Sequence, residues 1–208
     1  MSGNKLMRLS FLPVPMLLIL IAVLHSAVNP RLFYEPAWLL PITNTLFVSL
    51  VCFAVAYIAL KNYRTTGKIQ IFLLGCGVLV LGIGGILAAF TRNIPETGAN
   101  INVTIYNSGA LISSIFHFAA ALIPMAGISP QVGAKRKMVW LILGCTGLTA
   151  LMGLLSLATI KGLVPLFFVQ GTGPTLLRQQ VLGTAAVLFT FSFIIFMTMY
   201  WKNREAFL

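Results

Sequence analysis

Three residues, Tyr106, Ser113 and His117, have the types and spacing to do chemistry together. At 100° per residue they fall within about 40° of one another on a helix, with Asn107 and Ser114 on the adjoining flank. They form one polar stripe of hydroxyls, an amide and an imidazole. His117 lies about 11 residues, roughly 16 Å, along the axis from Tyr106, so in a helix that crosses a bilayer it sits near mid-membrane. An ionisable side chain at that depth must face the bundle interior or a wet cavity, and marks a functional site by default. The same residues also fit a plainer role: Ser113, Ser114 and His117 as interhelical hydrogen-bonding groups, each worth about 0.6 kcal/mol.

A second polar set, Thr45, Ser49 and Cys52 with Asn44 beside them, has spacings of four and three. An amide at Asn44 serves either an interhelical bond or a ligand. Arg178, Gln179 and Gln180 open the last apolar segment, where Arg178 is placed to neutralise an anionic ligand, to pair with Glu35 or Glu96, or to reach lipid headgroups. Other chemistries find little footing. The acidic residues Glu35, Glu96 and Glu205 all lie outside the apolar segments, which removes paired-aspartate proteolysis and carboxylate proton relays and weakens ion-coupled transport. No catalytic residue, metal site or cofactor is assigned. His25 and His117 differ in depth by about 10 Å, which argues against a shared haem iron. Cys52, Cys76 and Cys145 sit in apolar runs without close spacing and read as small packing residues.

The elements that must hold these residues follow from composition. Of the 208 residues, 59% are hydrophobic and 8% charged, with a mean hydropathy of +0.97, too little polar surface to cover a water-soluble globule. Six segments approach the roughly 20 residues that a membrane-spanning helix needs: Leu12 to Val28, Ala37 to Lys61, Lys68 to Thr91, Ile101 to Gly127, Lys137 to Ile160 and Leu177 to Trp201. The predicted fold is all-α, a polytopic bundle of six transmembrane helices forming a single domain. The first segment resembles a signal peptide but lacks a small-residue cleavage pattern, and is expected to be retained.

The formal charge of +11 invites a nucleic-acid reading until its distribution is examined. Lys5, Arg8, Lys61, Arg64, Lys68, Lys135, Arg136, Lys137, Lys202 and Arg204 fall on one side of the bundle. Arg31, Arg92, Lys161 and Arg178 fall on the other. The excess marks the cytoplasmic face, places both termini there, and leaves no basic face for nucleic acid. Within the long loop from Lys161 to Leu176, the apolar run Leu163 to Val169 is too short to span and is expected at the interface or in the mouth of the bundle, and Pro174 and Thr175 suit a helix start. The pairs Gly75 with Gly82, and Gly77 with Gly84, share helix faces and permit close helix approach. Asn102 to Thr104 forms a glycosylation sequon, relevant to a eukaryotic source alone.

Four stretches, NTLFVSLVCFAVAYIA (44–59), LLGCGVLVLGIGGILA (73–88), NINVTIYNSGALISSIFHFAAAL (100–122) and PLFFVQGTGPTLLRQQVLG (165–183), make the chain resemble the N-terminal membrane-embedded input region of prokaryotic sensor histidine kinases with PAS domains. The resemblance implies a further helix and cytoplasmic kinase domains, yet no phosphoacceptor, nucleotide-binding or PAS segment precedes Leu208. The tail KNREAFL is therefore expected to mark either a truncated chain or a stand-alone module. The expected function is a sensor module of the cell membrane that detects a small or lipid-soluble ligand and signals to the cytoplasm. Its ligand-binding residues are expected to be Asn44, Ser49, Tyr106, Asn107, Ser113, Ser114, His117, Arg178 and Gln179, around an outer cavity between the second, fourth and sixth segments. Expected partners are membrane lipid, the ligand, and kinase or PAS domains where the chain is a fragment, with a homodimer open. A small-molecule transporter or permease subunit, and a structural subunit of a membrane complex, are the alternatives.

Overall fold

Long apolar runs broken by glycine and proline produce helices, because a backbone in lipid must satisfy its own hydrogen bonds. The computed structural model describes residues 16, 18, 19, 22, 23, 36, 38–128 and 130–204. The chain forms two compact units, Met1–Pro36 and Ala37–Leu208, and the helices below belong to the second. The expected first span, Leu12 to Val28, falls largely outside the described residues, as do Lys5, Arg8, His25, Arg31, Glu35 and Glu205.

Helix α1 runs through Leu39–Thr43, a π-helical turn Asn44–Ser49, and Leu50–Thr66; α2 covers Ile69–Thr91, α3 Gly98–Met125, α4 Ala134–Ile160 and α5 Leu176–Arg204. Between α4 and α5 a two-stranded hairpin pairs β1 (Phe168–Val169) with β2 (Gly173–Pro174), Phe168 opposite Pro174. All five helices are long and apolar enough to cross a membrane, and the protein is a helical, multi-pass membrane protein.

The helix ends depart from their sequence-based limits for identifiable reasons. Helix α1 continues past Lys61 to Thr66 and stops at Gly67, whose φ of 70° lets its N–H reach the Tyr63 carbonyl at 2.7 Å, a left-handed C-cap. Lys61 and Arg64 therefore lie on the last turns of a helix instead of in a connection. Helix α4 starts at Ala134, so Lys135, Arg136 and Lys137 occupy its first turn, where the helix dipole disfavours cations. Lys137 compensates by donating from Nζ to the Thr65 carbonyl at 3.0 Å. That bond, with Val132 N–H to Gly67 O at 2.9 Å and Ile69 N–H to Pro130 O at 3.2 Å, fastens the two turns of the basic end together.

Helix α2 is the centre of the bundle. It packs on α1, α3 and α4, whereas among the described elements α5 packs on α3. Its two glycine faces make this possible. A Cβ on Gly75, Gly82 or Gly85 would meet Leu60, Phe53 or the Ser49 hydroxyl of α1 at 2.7–2.8 Å. On the other face, Gly77 lies under His117 of α3, and Gly84 opposes Gly109 and Met152. The expected face pairing of Gly75 with Gly82 and Gly77 with Gly84 is thus realised. Around it gather Val80, Ala88, Ile101, Ile105 and Met152, all buried.

Alanine at Gly82, where the new methyl would sit 2.8 Å from the Phe53 ring, should lower stability by about 1–3 kcal/mol through overpacking. Alanine at Gly147 or Gly153 of α4, where nothing lies within 4 Å, should be neutral or stabilising by up to about 1 kcal/mol. Thermal unfolding of the detergent-solubilised protein reads the difference, and equal effects at the two kinds of position would contradict this packing.

Candidate functional site

Most polar side chains in these helices are satisfied by their own helix. Thr146, Thr149, Ser156, Thr159, Thr190, Ser192 and Thr198 each donate to the carbonyl four residues back at 2.7–2.8 Å, the ordinary way a hydroxyl is accommodated within a helix. Against that background, two places among the sequence-predicted residues stand apart, while the buried Tyr63 hydroxyl and Gln70 Oε1, nearer the basic end, also lack a partner.

The first is the π-helical turn of α1. There the Leu50 N–H reaches the Thr45 carbonyl, a span of five residues, and the wider turn denies Ser49 the carbonyl four positions back. The Thr45 and Ser49 hydroxyls are buried with no hydrogen-bond partner, whereas Thr43, at the edge of the turn, keeps its bond to Leu39 O at 2.8 Å. Ser49 is fully buried against Gly85. Thr45 instead lines a cavity of about 470 Å³ between the start of α1 and the end of α2, within the size range of small-molecule sites. Its walls are Trp38, Pro41, Ile42, Leu46 and Phe90, with Asn93 at the polar edge. Such π turns recur at functional sites because they widen a helix locally and re-aim its side chains.

The second place is around His117 on α3. Its ring lies over Gly77 of α2 and packs edge-to-face on Phe189 of α5, centroids 5.3 Å apart. Nδ1 is 2.8 Å from the Ser113 carbonyl and 3.3 Å from the Ser113 hydroxyl. A carbonyl can only accept, so this bond puts a proton on Nδ1 and leaves Nε2 an acceptor in the neutral ring. Ser113 and Ser114 are fully buried, and Ser114 donates to Leu111 O at 2.7 Å. Asn107 is also buried, and its Nδ2 has no partner. Tyr106, by contrast, is 40% exposed, so the upper end of the stripe faces outward.

These two polar groups do not converge. Helix α1 packs on α2 and α4, and α5 on α3, so α2 stands between Asn44 and Ser49 on one side and Asn107, Ser113, Ser114 and His117 on the other. Arg178 and Gln179 belong to a different element, α5. They form the first turn of α5, where the Arg178 N–H points to the Thr175 hydroxyl at 3.4 Å and the Gln179 N–H to the Thr175 carbonyl at 3.2 Å.

Asn100 went unnoticed in the sequence. Its Oδ1 accepts from both Phe167 N–H at 2.9 Å and Phe168 N–H at 3.0 Å, and Phe167 is buried. The apolar run before α5 is thereby folded onto the start of α3, with Leu163 and Leu166 left exposed. Thr175 closes the hairpin by donating to the Leu166 and Phe167 carbonyls, at 2.9 and 3.2 Å. Two residues on, Asn102 of the sequon donates to Ala88 O at 2.7 Å, so its amide ties α3 to α2. The signal available for Asn100 was its position: an asparagine in the first turn of an apolar helix, opposite a loop with unpaired donors.

Replacing Asn100 with alanine leaves two loop N–H groups without their acceptor, at about 1–3 kcal/mol for each that stays buried. Amide hydrogen exchange across residues 166–175 should accelerate, and Asn100→Asp, which keeps the acceptor, should restore most of the protection. Unchanged exchange in the alanine variant would show that the amide does not hold the hairpin. No family model, curated protein or solved structure matches this chain.

Proposed function

We propose that the protein is a sensor module of the cell membrane that binds a small lipid-soluble ligand in the cavity between α1 and α2 and signals to the cytoplasm as the membrane part of a sensor histidine kinase. One observation carries the reading: an apolar cavity of ligand size is lined in part by Thr45, whose hydroxyl lies behind the cavity surface with no partner. An unpaired buried hydroxyl costs about 1–3 kcal/mol, and a ligand with one hydrogen-bonding group and an apolar body offsets that cost once rotation of the Thr45 side chain brings its hydroxyl to the cavity. Trp38 and Phe90, both largely exposed, supply flat apolar walls.

The π turn gives such a ligand something to act on. A π turn holds one residue more than the α-helical turn it replaces, so its conversion shifts the following helix by about 1.5 Å and about 100° for one residue. A ligand that prefers either form biases the packing of α1 on α2, which is what a signal requires. In this reading residues 12–28 form a sixth span, the end with Lys61, Arg64 and Lys135 to Lys137 faces the cytoplasm, and both termini lie there.

Two measurements test it. In a Trp140→Phe, Trp201→Phe background, Trp38 fluorescence of the purified protein is followed against a panel of long-chain alcohols, fatty acids and prenols. At least one should bind, Thr45→Val should weaken it about five- to tenfold, and His117→Ala and Arg178→Ala should leave it unchanged. Indifference to Thr45→Val overturns the site, and carriage of the same compound across proteoliposomes favours a permease. For topology, with the native cysteines replaced by alanine, Glu96→Cys should react with an impermeant maleimide on intact cells, and Lys135→Cys only after permeabilisation. The reverse pattern would invert the orientation.

A further inference from the structure

At the basic end, a separate cleft of about 240 Å³ lies between α1 and α4, lined by Tyr57, Leu60, Lys61, Arg64 and Leu141. Its floor is apolar and its rim cationic. Lys61 and Arg64 are three residues apart and so share a helix face, and Lys61 Nζ is poised 6.0 Å over the ring of Tyr57, itself 66% exposed. The only acidic residue among those described, Glu96, is at the opposite end of the bundle, so no described carboxylate neutralises this pair. The nearby Lys137 is already engaged with the Arg64 and Thr65 carbonyls. That contact and the Val132 to Gly67 bond hold α1 and α4 at a set spacing, so the cleft is preformed.

Two cations with no described carboxylate beside them, above an aliphatic floor and at the level where a transmembrane helix leaves the hydrocarbon, complement a phosphodiester joined to acyl chains. Arg64 brings a planar fork matched to phosphate oxygens, Lys61 a point charge, and Tyr57 an amphipathic interfacial ring. We propose that this cleft is a binding site for an anionic phospholipid, with the phosphate between Lys61 and Arg64 and an acyl chain along Leu60 and Leu141. The site is independent of the cavity at the other end of α1.

Native mass spectrometry of the detergent-solubilised full chain, titrated with phosphatidylglycerol or phosphatidylcholine, tests the proposal. The wild-type protein should retain phosphatidylglycerol in preference to phosphatidylcholine. Lys61→Gln with Arg64→Gln should reduce its apparent affinity at least about tenfold, with unchanged thermal unfolding in lipid-free detergent. Lys135→Gln with Arg136→Gln, which removes the same charge from exposed positions outside the cleft, should have little effect. Equal retention of the two lipids, equal loss in the two double variants, or full retention in the cleft variant would overturn the site. Displacement of the lipid by millimolar inorganic phosphate would overturn its assignment to a lipid.

Discussion

Close approach to α2 is the constraint on which the rest of the bundle depends. Lipid tails are as apolar as leucine side chains, so helices in a membrane gain little from hiding apolar surface from one another and associate through contact and hydrogen bonding. Contact at short range requires small residues. Helix α2 supplies them on two faces, so Phe53, Leu60 and Ser49 of α1 lie on its backbone on one side and His117 on the other. The remaining helices turn large apolar side chains outward: Val139, Leu143, Leu154 and Leu157 on α4, and Val187, Phe193 and Ile194 on α5, are exposed. Such side chains suit the hydrocarbon of a bilayer.

The same close packing sorts the polar residues. A serine or threonine that bonds to its own helix makes no demand on its surroundings, and α4 and α5 are full of such residues. Ser49 escapes that arrangement because the π turn widens the helix around the carbonyl it would use, and Thr45, in the same turn, is also unpartnered. A local change in backbone period therefore converts ordinary helix hydroxyls into groups that seek an external partner. His117 is an intermediate case. Its Nδ1 is satisfied within α3, not by a neighbouring helix, and its ring packs between Gly77 and Phe189.

Much of this architecture was legible in the sequence. Apolar run length located the five described spans, and the seven-residue glycine spacing on α2 foretold its two packing faces. Charge placement separated the basic end from the other, although Gly67 rather than Lys61 sets the end of α1. The candidate site was less legible. Periodicity places residues on a face but does not say which helix that face meets, so the stripes on α1 and α3, which look like partners, prove to be separated by α2. The π turn leaves no mark in the pattern, because Thr45 and Ser49 are four residues apart whichever way the helix is wound. Asn100 acts through side-chain bonds to a loop 67 and 68 residues away, a relation that local sequence cannot encode.

The hairpin before α5 also has a mechanical aspect. Asn100 and Thr175 pin the loop at the start of α5, while the helix itself runs 29 residues to Arg204, about 43 Å, and packs on α3 among the described elements. A rod fixed at one end and supported along one side is a lever. Over that length a tilt of about 5° at the pinned end would displace the far end by about 4 Å.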